Sequence, residues 1–300
     1  MGRTLDIEVV HDISPEDFIK NYLKKSKPVL LKGAAKNWDA CKHWNLDFFK
    51  ASFGESTVQV AEGKKWVSSK KPGYAAKFEY REVSVAEYID GIQADPPKTD
   101  YLRFYPFFDK HPQLIKDLGM SMIYPMSDMK NKNRVKGRLF IGPKGTSTPI
   151  HHAPVSNLFV EVSGRKKWEI ISPVYTPFIY PVPTRTAYFA AKADFRDPLG
   201  PDFPLFKYCD KIVVTLEAGD ILFTPRFWWH GVSNVDATIA VSLWWTTLWS
   251  IFNSFSIFPQ NVLFLFGSPN PILYRIAKKL GIATDEDSIA DKISNIQNEK

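Results

Sequence analysis

Gly145, Thr146, Ser147, Thr148, Pro149, Ile150, His151, His152 and Ala153 form the first of two stretches that decide how this chain is read. The second is Pro225, Arg226, Phe227, Trp228, Trp229 and His230. Histidine is scarce, with six in the chain, and half of them fall in these two places. Each stretch lies at the edge of a strand-like run. In an extended chain His151 and Ala153 point to one face and His152 and Pro154 to the other, so only one of the paired histidines faces a barrel interior. By itself a strand histidine is more often a packed or surface residue than a ligand, and this bare spacing does not establish a metal site.

Outward from these residues the hydrophobic pattern has a period of two. Strand-like runs are expected at 138–141, 150–153, 157–162, 167–171, 211–216, 221–224 and 238–245. Turn residues separate them, among them Gly142, Gly145, Gly164, Gly219 and Asp220. Many short strands at this spacing imply an antiparallel sandwich or barrel. Nine Trp and 22 Phe suit such an interior. Upstream the signals are mixed. Ser14 and Pro15 open a helix, 28–31 reads as a strand, 38–53 as loop and helix, 84–92 as a helix capped by Ser84, and 113–118 as a further helix. Residues 175–204, rich in Pro and aromatics, are an insertion between strands, read as a lid over the site or as surface packing. The expected layout is one domain: a decorating region 1–135, a β core 136–248 and a helical region 249–300 whose apolar stretch 249–266 could pair two chains or fold back on the barrel.

Composition narrows the classes. A charged fraction of 24% and a hydrophobic fraction of 44% fit a folded globular chain and argue against a disordered or fibrous one. The formal charge of +7 leans toward anionic partners, but the lysines are scattered, which also describes an ordinary solvated surface, and RNA is the weaker reading. Cys41 and Cys209 are too few for a disulfide framework or a zinc cluster. No basic-then-apolar leader opens the sequence, and Ser, Asn, Gln and Pro interrupt the apolar stretch 239–266, so a cytoplasmic chain without a membrane span is expected.

The run Thr148, Pro149, Ile150, His151, with Asn157, Gly164, Lys166 and Trp168 after it, resembles the first metal-binding strand of the JmjC and cupin-like Fe(II)/2-oxoglutarate oxygenases. The run 218–232, ending in Trp228, Trp229, His230, Gly231 and Val232, is similar to that family's distal-histidine strand, and Leu243, Trp244 and Trp245 to its closing strand. The N-terminal half resembles the lead-in of the cupin-like branch, and the likeness covers nearly the whole chain. In layout it is most similar to the asparaginyl hydroxylase that acts on hypoxia-inducible factor. The resemblance implies a mainly β, double-stranded β-helix fold (a cupin or jelly roll) and an enzyme using Fe(II), 2-oxoglutarate and O2. It implies His151 and His230 as iron ligands. Thr148 and Lys166 would hold the distal carboxylate of 2-oxoglutarate, with Tyr101 and Asn157 completing that pocket. Arg103, two residues beyond Tyr101, would meet substrate.

One departure matters. The family's triad places Asp or Glu two residues after the first histidine, and this chain has Ala153 there. Two histidines and a bidentate co-substrate fill four of six positions, leaving an extra vacancy. Three readings follow. Chloride fills the vacancy, as in the radical halogenases of the superfamily that carry the same change, and an aliphatic C–H is chlorinated. Water or a carboxylate such as Glu161 fills it and the product is hydroxylated. Or the metal is lost and the chain is a binding module, against which the joint presence of His230, Lys166 and Thr148 argues. The substrate, a small molecule or a protein side chain, is not specified by any residue.

Overall fold

The structure is a computed structural model and describes residues 1–62, 79–131, 135–182 and 189–246. The N-terminal part supplies short strands β1 (Thr4–Leu5), β2 (Val9–Val10) and β3 (Val29–Leu31), a hairpin of β4 (Thr57–Ala61) and β5 (Tyr80–Ser84), and β6 (Leu102–Tyr105). Among them lie helices α1 (Pro15–Phe18), α2 (Asp39–His43), α3 (Leu46–Phe53), α4 (Val85–Gln93), α5 (Phe107–Lys110) and α6 (Met120–Met126). Ser14 and Ser84 cap as expected, their hydroxyls accepting from the backbone N–H of Asp17 and Glu87. The helix expected at 113–118 is a 3-10 turn, Pro112–Asp117.

The core strands are β7 (Lys136–Gly142), β8 (Ser147–His152), β9 (Ser156–Ser163), β10 (Lys166–Ile171), β13 (Lys211–Leu216), β14 (Ile221–Thr224), β15 (Trp229–Asn234) and β16 (Thr238–Trp245). In the insertion, β11 (Pro181–Val182) and β12 (Phe189–Ala191) form a small hairpin. The pairings nest: β7 with β16, β8 with β15, β9 with β14 and β10 with β13, all antiparallel. That concentric order is the jelly roll. It divides into two seven-stranded sheets, β1-β13-β10-β15-β8-β12-β11 and β2-β3-β14-β9-β16-β7-β6.

Alternation then sorts the side chains into three layers. Between the sheets lie Leu30, Tyr101, Phe140, Phe159, Trp168, Ile170, Leu216, Leu222 and Ala240. Behind the second sheet the N-terminal helices pack Phe18, Trp44, Phe49, Ile89 and Phe107 against Leu158, Val160, Phe223, Val241 and Trp245. Behind the first sheet the insertion packs Ile179, Ala193 and Phe206 on Ile150, Ile171 and Trp229. The insertion therefore covers a sheet face, and its strand β12 pairs with β8 at His151 and His152. Cys41 and Cys209 are unpaired, and burial pushes their thiols up to about 11 and about 12.

The strand expected at 150–153 is Ser147–His152, so Ala153 lies just beyond its end. The strand expected at 238–245 is β16, paired on both sides. No helix of the described residues is long and apolar enough to cross a membrane. The helical region and the proposed pairing surface at 249–266 lie outside the described residues.

The β9–β10 turn requires Gly164. Its φ is +82°, and a Cβ there would stand 2.2 Å from the Ala237 carbonyl oxygen. Gly164→Ala is expected to cost about 2 kcal/mol from left-handed strain and the displaced β15–β16 turn. A lowered urea midpoint with an unchanged m-value would show it.

Candidate active site

The inner face of the jelly roll gathers most residues singled out from the sequence. β15 and β8 place His230 opposite His151, with ring centroids 4.2 Å apart and planes at 62°. Each imidazole is oriented by its own strand: His151 Nδ1 donates to the Pro149 carbonyl at 2.8 Å and His230 Nδ1 to the Trp228 carbonyl at 2.9 Å. A carbonyl oxygen can only accept, so in both rings the proton sits on Nδ1 and Nε2 keeps its lone pair. Burial holds both rings neutral. It depresses His230 to about 4, and it lowers His151 well below its ordinary value, with the charges of His230 and Arg103 adding to the effect. Trp168 stacks on His230 at 5.1 Å.

His152 turns the other way, edge-on to Trp229 at 4.4 Å and Phe227 at 5.4 Å behind the sheet, and is depressed to about 3 by burial. The alternation argument thus separates the two histidines as read from the sequence. Simple alternation would also put Thr148 on the face opposite His151. The structure avoids this with a bulge: His230 pairs with His151 but Val232 with Thr148, so three residues of β8 span two of β15. Thr148 consequently shares the inner face, since its partner Val232 packs on the inner cluster. Pro149, which cannot donate to the ladder, sits in the bulge.

A second bulge acts on β6, where Leu102 pairs with Ile141 but Tyr105 with Leu139. Phe104, at φ +50°, lies within it. Arg103 is 5% exposed, and its positive charge is felt by His151 and by the Tyr80 hydroxyl.

Deeper in the barrel, two inward positions beyond the Ile170 that pairs with His230, lies Lys166. It is 0% exposed. Its ammonium donates to Asn234 Oδ1 at 2.7 Å, Thr238 Oγ1 at 3.2 Å and Tyr101 Oη at 3.3 Å, and faces the rings of Phe159 and Tyr101 at 5.5 and 5.6 Å. Asn234 is fixed in turn by donating to Thr146 Oγ1 at 2.8 Å. All three acceptors are neutral. Among the described residues no carboxylate lies within ion-pair distance of Lys166.

Tyr101 and Lys166 therefore meet as expected. Asn157 lies on the same face but at the histidine end, accepting from Ser242 Oγ at 2.7 Å. Glu161 is a correction. It belongs to β9 in the opposite sheet, not to the strand of His151, and among the described residues no group of three His, Cys, Asp or Glu is placed to hold a metal. Ala153 remains beside the site, since its carbonyl accepts from the N–H of Phe227 at 2.8 Å, tying the end of β8 to the loop that leads into His230. Asn234, Thr238 and Thr146 are functional-looking residues that sequence reasoning missed. Asn234 sits in a stretch read only as a turn, and its partnership with Lys166 exists only once β10 and β15 are in register.

The donor set suits a divalent metal of imidazole preference held by two protein ligands, and a carboxylate-bearing small molecule held by a buried ammonium.

Residues 15–250 match the family described as the cupin-like domain. The chain is 27% identical to lysine-specific demethylase 8 of Xenopus tropicalis over 241 residues, which is 80% of this chain and 53% of that protein. It is 25% identical over 246 residues to lysine-specific demethylase JMJ30 of Arabidopsis thaliana, covering 80% of this chain and 54% of that one. It is 27% identical to human HSPB1-associated protein 1 over 256 residues, covering 79% and 51%. The chain spans about half the length of these relatives.

Proposed function

Since this chain belongs to the cupin-like, JmjC-type family of Fe(II)/2-oxoglutarate oxygenases, we propose that it oxidises an aliphatic C–H bond with a metal held by His151 and His230 alone. In this reading chloride occupies the position that Ala153 leaves open and chlorination is favoured. The observation that carries the co-substrate assignment is the buried Lys166 ammonium, hydrogen-bonded to three neutral oxygens and lacking a counter-ion within ion-pair distance among the described residues. An uncompensated cation is costly to bury, and a carboxylate arriving from outside would offset that cost. Along β10 the Cα atoms of Ile170 and Lys166 are roughly 13 Å apart at about 3.3 Å per residue. That span would be shared by the long lysine side chain and a short dicarboxylate reaching the metal. Thr148 would support the same carboxylate from β8.

When bound, Fe(II) and 2-oxoglutarate would supply the oxidation: O2 takes two electrons from decarboxylation to succinate and CO2 and two from the substrate C–H, giving C–OH or, with chloride and a proton, C–Cl and water. The chain's own part is to orient, exclude water and keep charge in place. The carbonyls of Pro149 and Trp228 aim both Nε2 lone pairs, and Trp168 walls the site beside His230. Arg103, whose charge is felt at His151, would meet an anionic part of the substrate. Its burial means that such a group would have to enter the barrel mouth.

Hydroxylation with water in the open position is the second reading. It is favoured by the relatives named as lysine-specific demethylases, which also point toward a protein side chain as substrate.

Anaerobic titration with Fe(II) and 2-oxoglutarate, with and without chloride, separates these. A visible charge-transfer band that shifts with chloride is the expected result. A band indifferent to chloride favours hydroxylation, and no band removes the catalytic reading. Ala153→Asp is expected to tighten Fe(II) binding by about tenfold or more and to abolish the chloride shift, because a carboxylate then fills the position. A chloride response unchanged in that variant sinks the halide assignment.

A further inference from the structure

Glu161 is a buried acid with no assigned work. It follows Asn157 and Phe159 on the inward-facing positions of β9, and its register partner Ala240 belongs to the inner cluster. It is 0% exposed, and neither carboxyl oxygen has a hydrogen-bond partner. Two charges act on it. From β10 comes Lys166, whose positive charge favours ionisation, and from the β13–β14 turn comes Asp220, whose negative charge opposes it; the Cys41 thiol of α2 also faces it, raised chiefly by its own burial. Asp220 is committed elsewhere: it accepts from Lys32 Nζ and from the N–H groups of Gly33 and Glu217, each at 2.9 Å. Glu161 has no such donors, so burial dominates and raises it to about 8.

We propose that Glu161 is a specificity-determining residue of the co-substrate pocket: as the neutral acid it leaves the Lys166 charge uncompensated, so the barrel floor selects a ligand with a free distal carboxylate. The inference rests on the reading of Lys166 as the co-substrate contact. An ionised carboxylate at this depth would turn toward Lys166 and compete with the ligand for it. A neutral one neutralises nothing. Binding of a dianion and retention of the Glu161 proton are therefore linked, each favouring the other. The sign follows from a raised carboxyl: protonated below about pH 8 and charged above it. Affinity for 2-oxoglutarate is flat below that point and falls above it, by up to about tenfold per pH unit.

The test is calorimetric titration of the Fe(II)-loaded full chain with 2-oxoglutarate, anaerobically, across pH 6.5 to 9, in buffers of differing ionisation enthalpy. The wild type is expected to take up roughly half a proton near pH 8 and to lose affinity above it. Glu161→Gln is expected to show neither the proton uptake nor the fall in affinity above about pH 8. Failure of the wild type to bind at any pH would overturn the Lys166 reading itself. Binding without pH dependence or proton uptake in the wild type, or the same fall persisting in Glu161→Gln, would overturn the role of Glu161 and leave Lys166 standing. Should Glu161→Gln not fold, the wild-type proton count decides alone.

Discussion

Lys166→Ala is expected to weaken 2-oxoglutarate binding by about 100-fold or more, read in the anaerobic Fe(II) titration. Removing one member of a buried, hydrogen-bonded charge pair costs about 2–5 kcal/mol, and each 1.4 kcal/mol is tenfold in affinity. The effect on the unliganded fold has the opposite tendency. Without ligand the ammonium sits among Asn234, Thr238 and Tyr101, which satisfy its hydrogen bonds but not its charge. Lys166→Met, which keeps the length and drops the charge, is expected to unfold at the same or a higher denaturant concentration than wild type. Wild type at 100 times its Kd gains about 2.7 kcal/mol from the ligand, and a variant binding about 100-fold more weakly gains no more than about 0.4 kcal/mol. A structural lysine would behave the other way, with stability lost and ligand response kept. Wild-type affinity in either variant would remove Lys166 from the pocket.

Much of the β core was legible because its signal is local. Alternation and turn residues name seven runs, and all seven coincide with strands to within a few residues. The strand β15 was visible only through the family likeness. Its residues Trp229, Gly231 and Ser233 against His230, Val232 and Asn234 face two packed layers, so polarity does not alternate in the usual way. The edge strands β1 and β2 are two residues each and exist by pairing with β13 and β3, partners distant in sequence. No local pattern announces such pieces.

The site was legible in its residue types and not in its geometry. Period-two reasoning separated His151 from His152, and the structure agrees. The same reasoning applied to Thr148 or Phe104 fails, because each bulge advances one strand by a residue and resets its parity. Pro149 was the available hint, a residue that a regular central strand does not accommodate. Glu161 is offered as a metal ligand by residue type alone, whereas the chain turns between it and His151 and crosses to the other sheet.

The inward and outward histidines supply the sharpest test of this arrangement. His151→Ala and His230→Ala are each expected to lower Fe(II) affinity by about 1000-fold, roughly 4 kcal/mol, since a two-ligand protein site has no third side chain to retain the ion. Their cost to the fold is small by comparison. Each loses one neutral hydrogen bond to a carbonyl, worth about 1 kcal/mol, and neither packs in the outer layer. His152→Ala is the matched control, adjacent in sequence and opposite in direction. It removes a ring packed against Trp229 and Phe227, so it is expected to cost about 2–4 kcal/mol of stability while leaving Fe(II) affinity within a few-fold of wild type. Metal binding by equilibrium dialysis and unfolding by urea, on the same three variants, give a crossed pattern. If His152→Ala loses the metal and His151→Ala keeps it, then β8 is one residue out of register. The placement of Thr148 falls with it, because the bulge that brings Thr148 to the inner face is defined against His151.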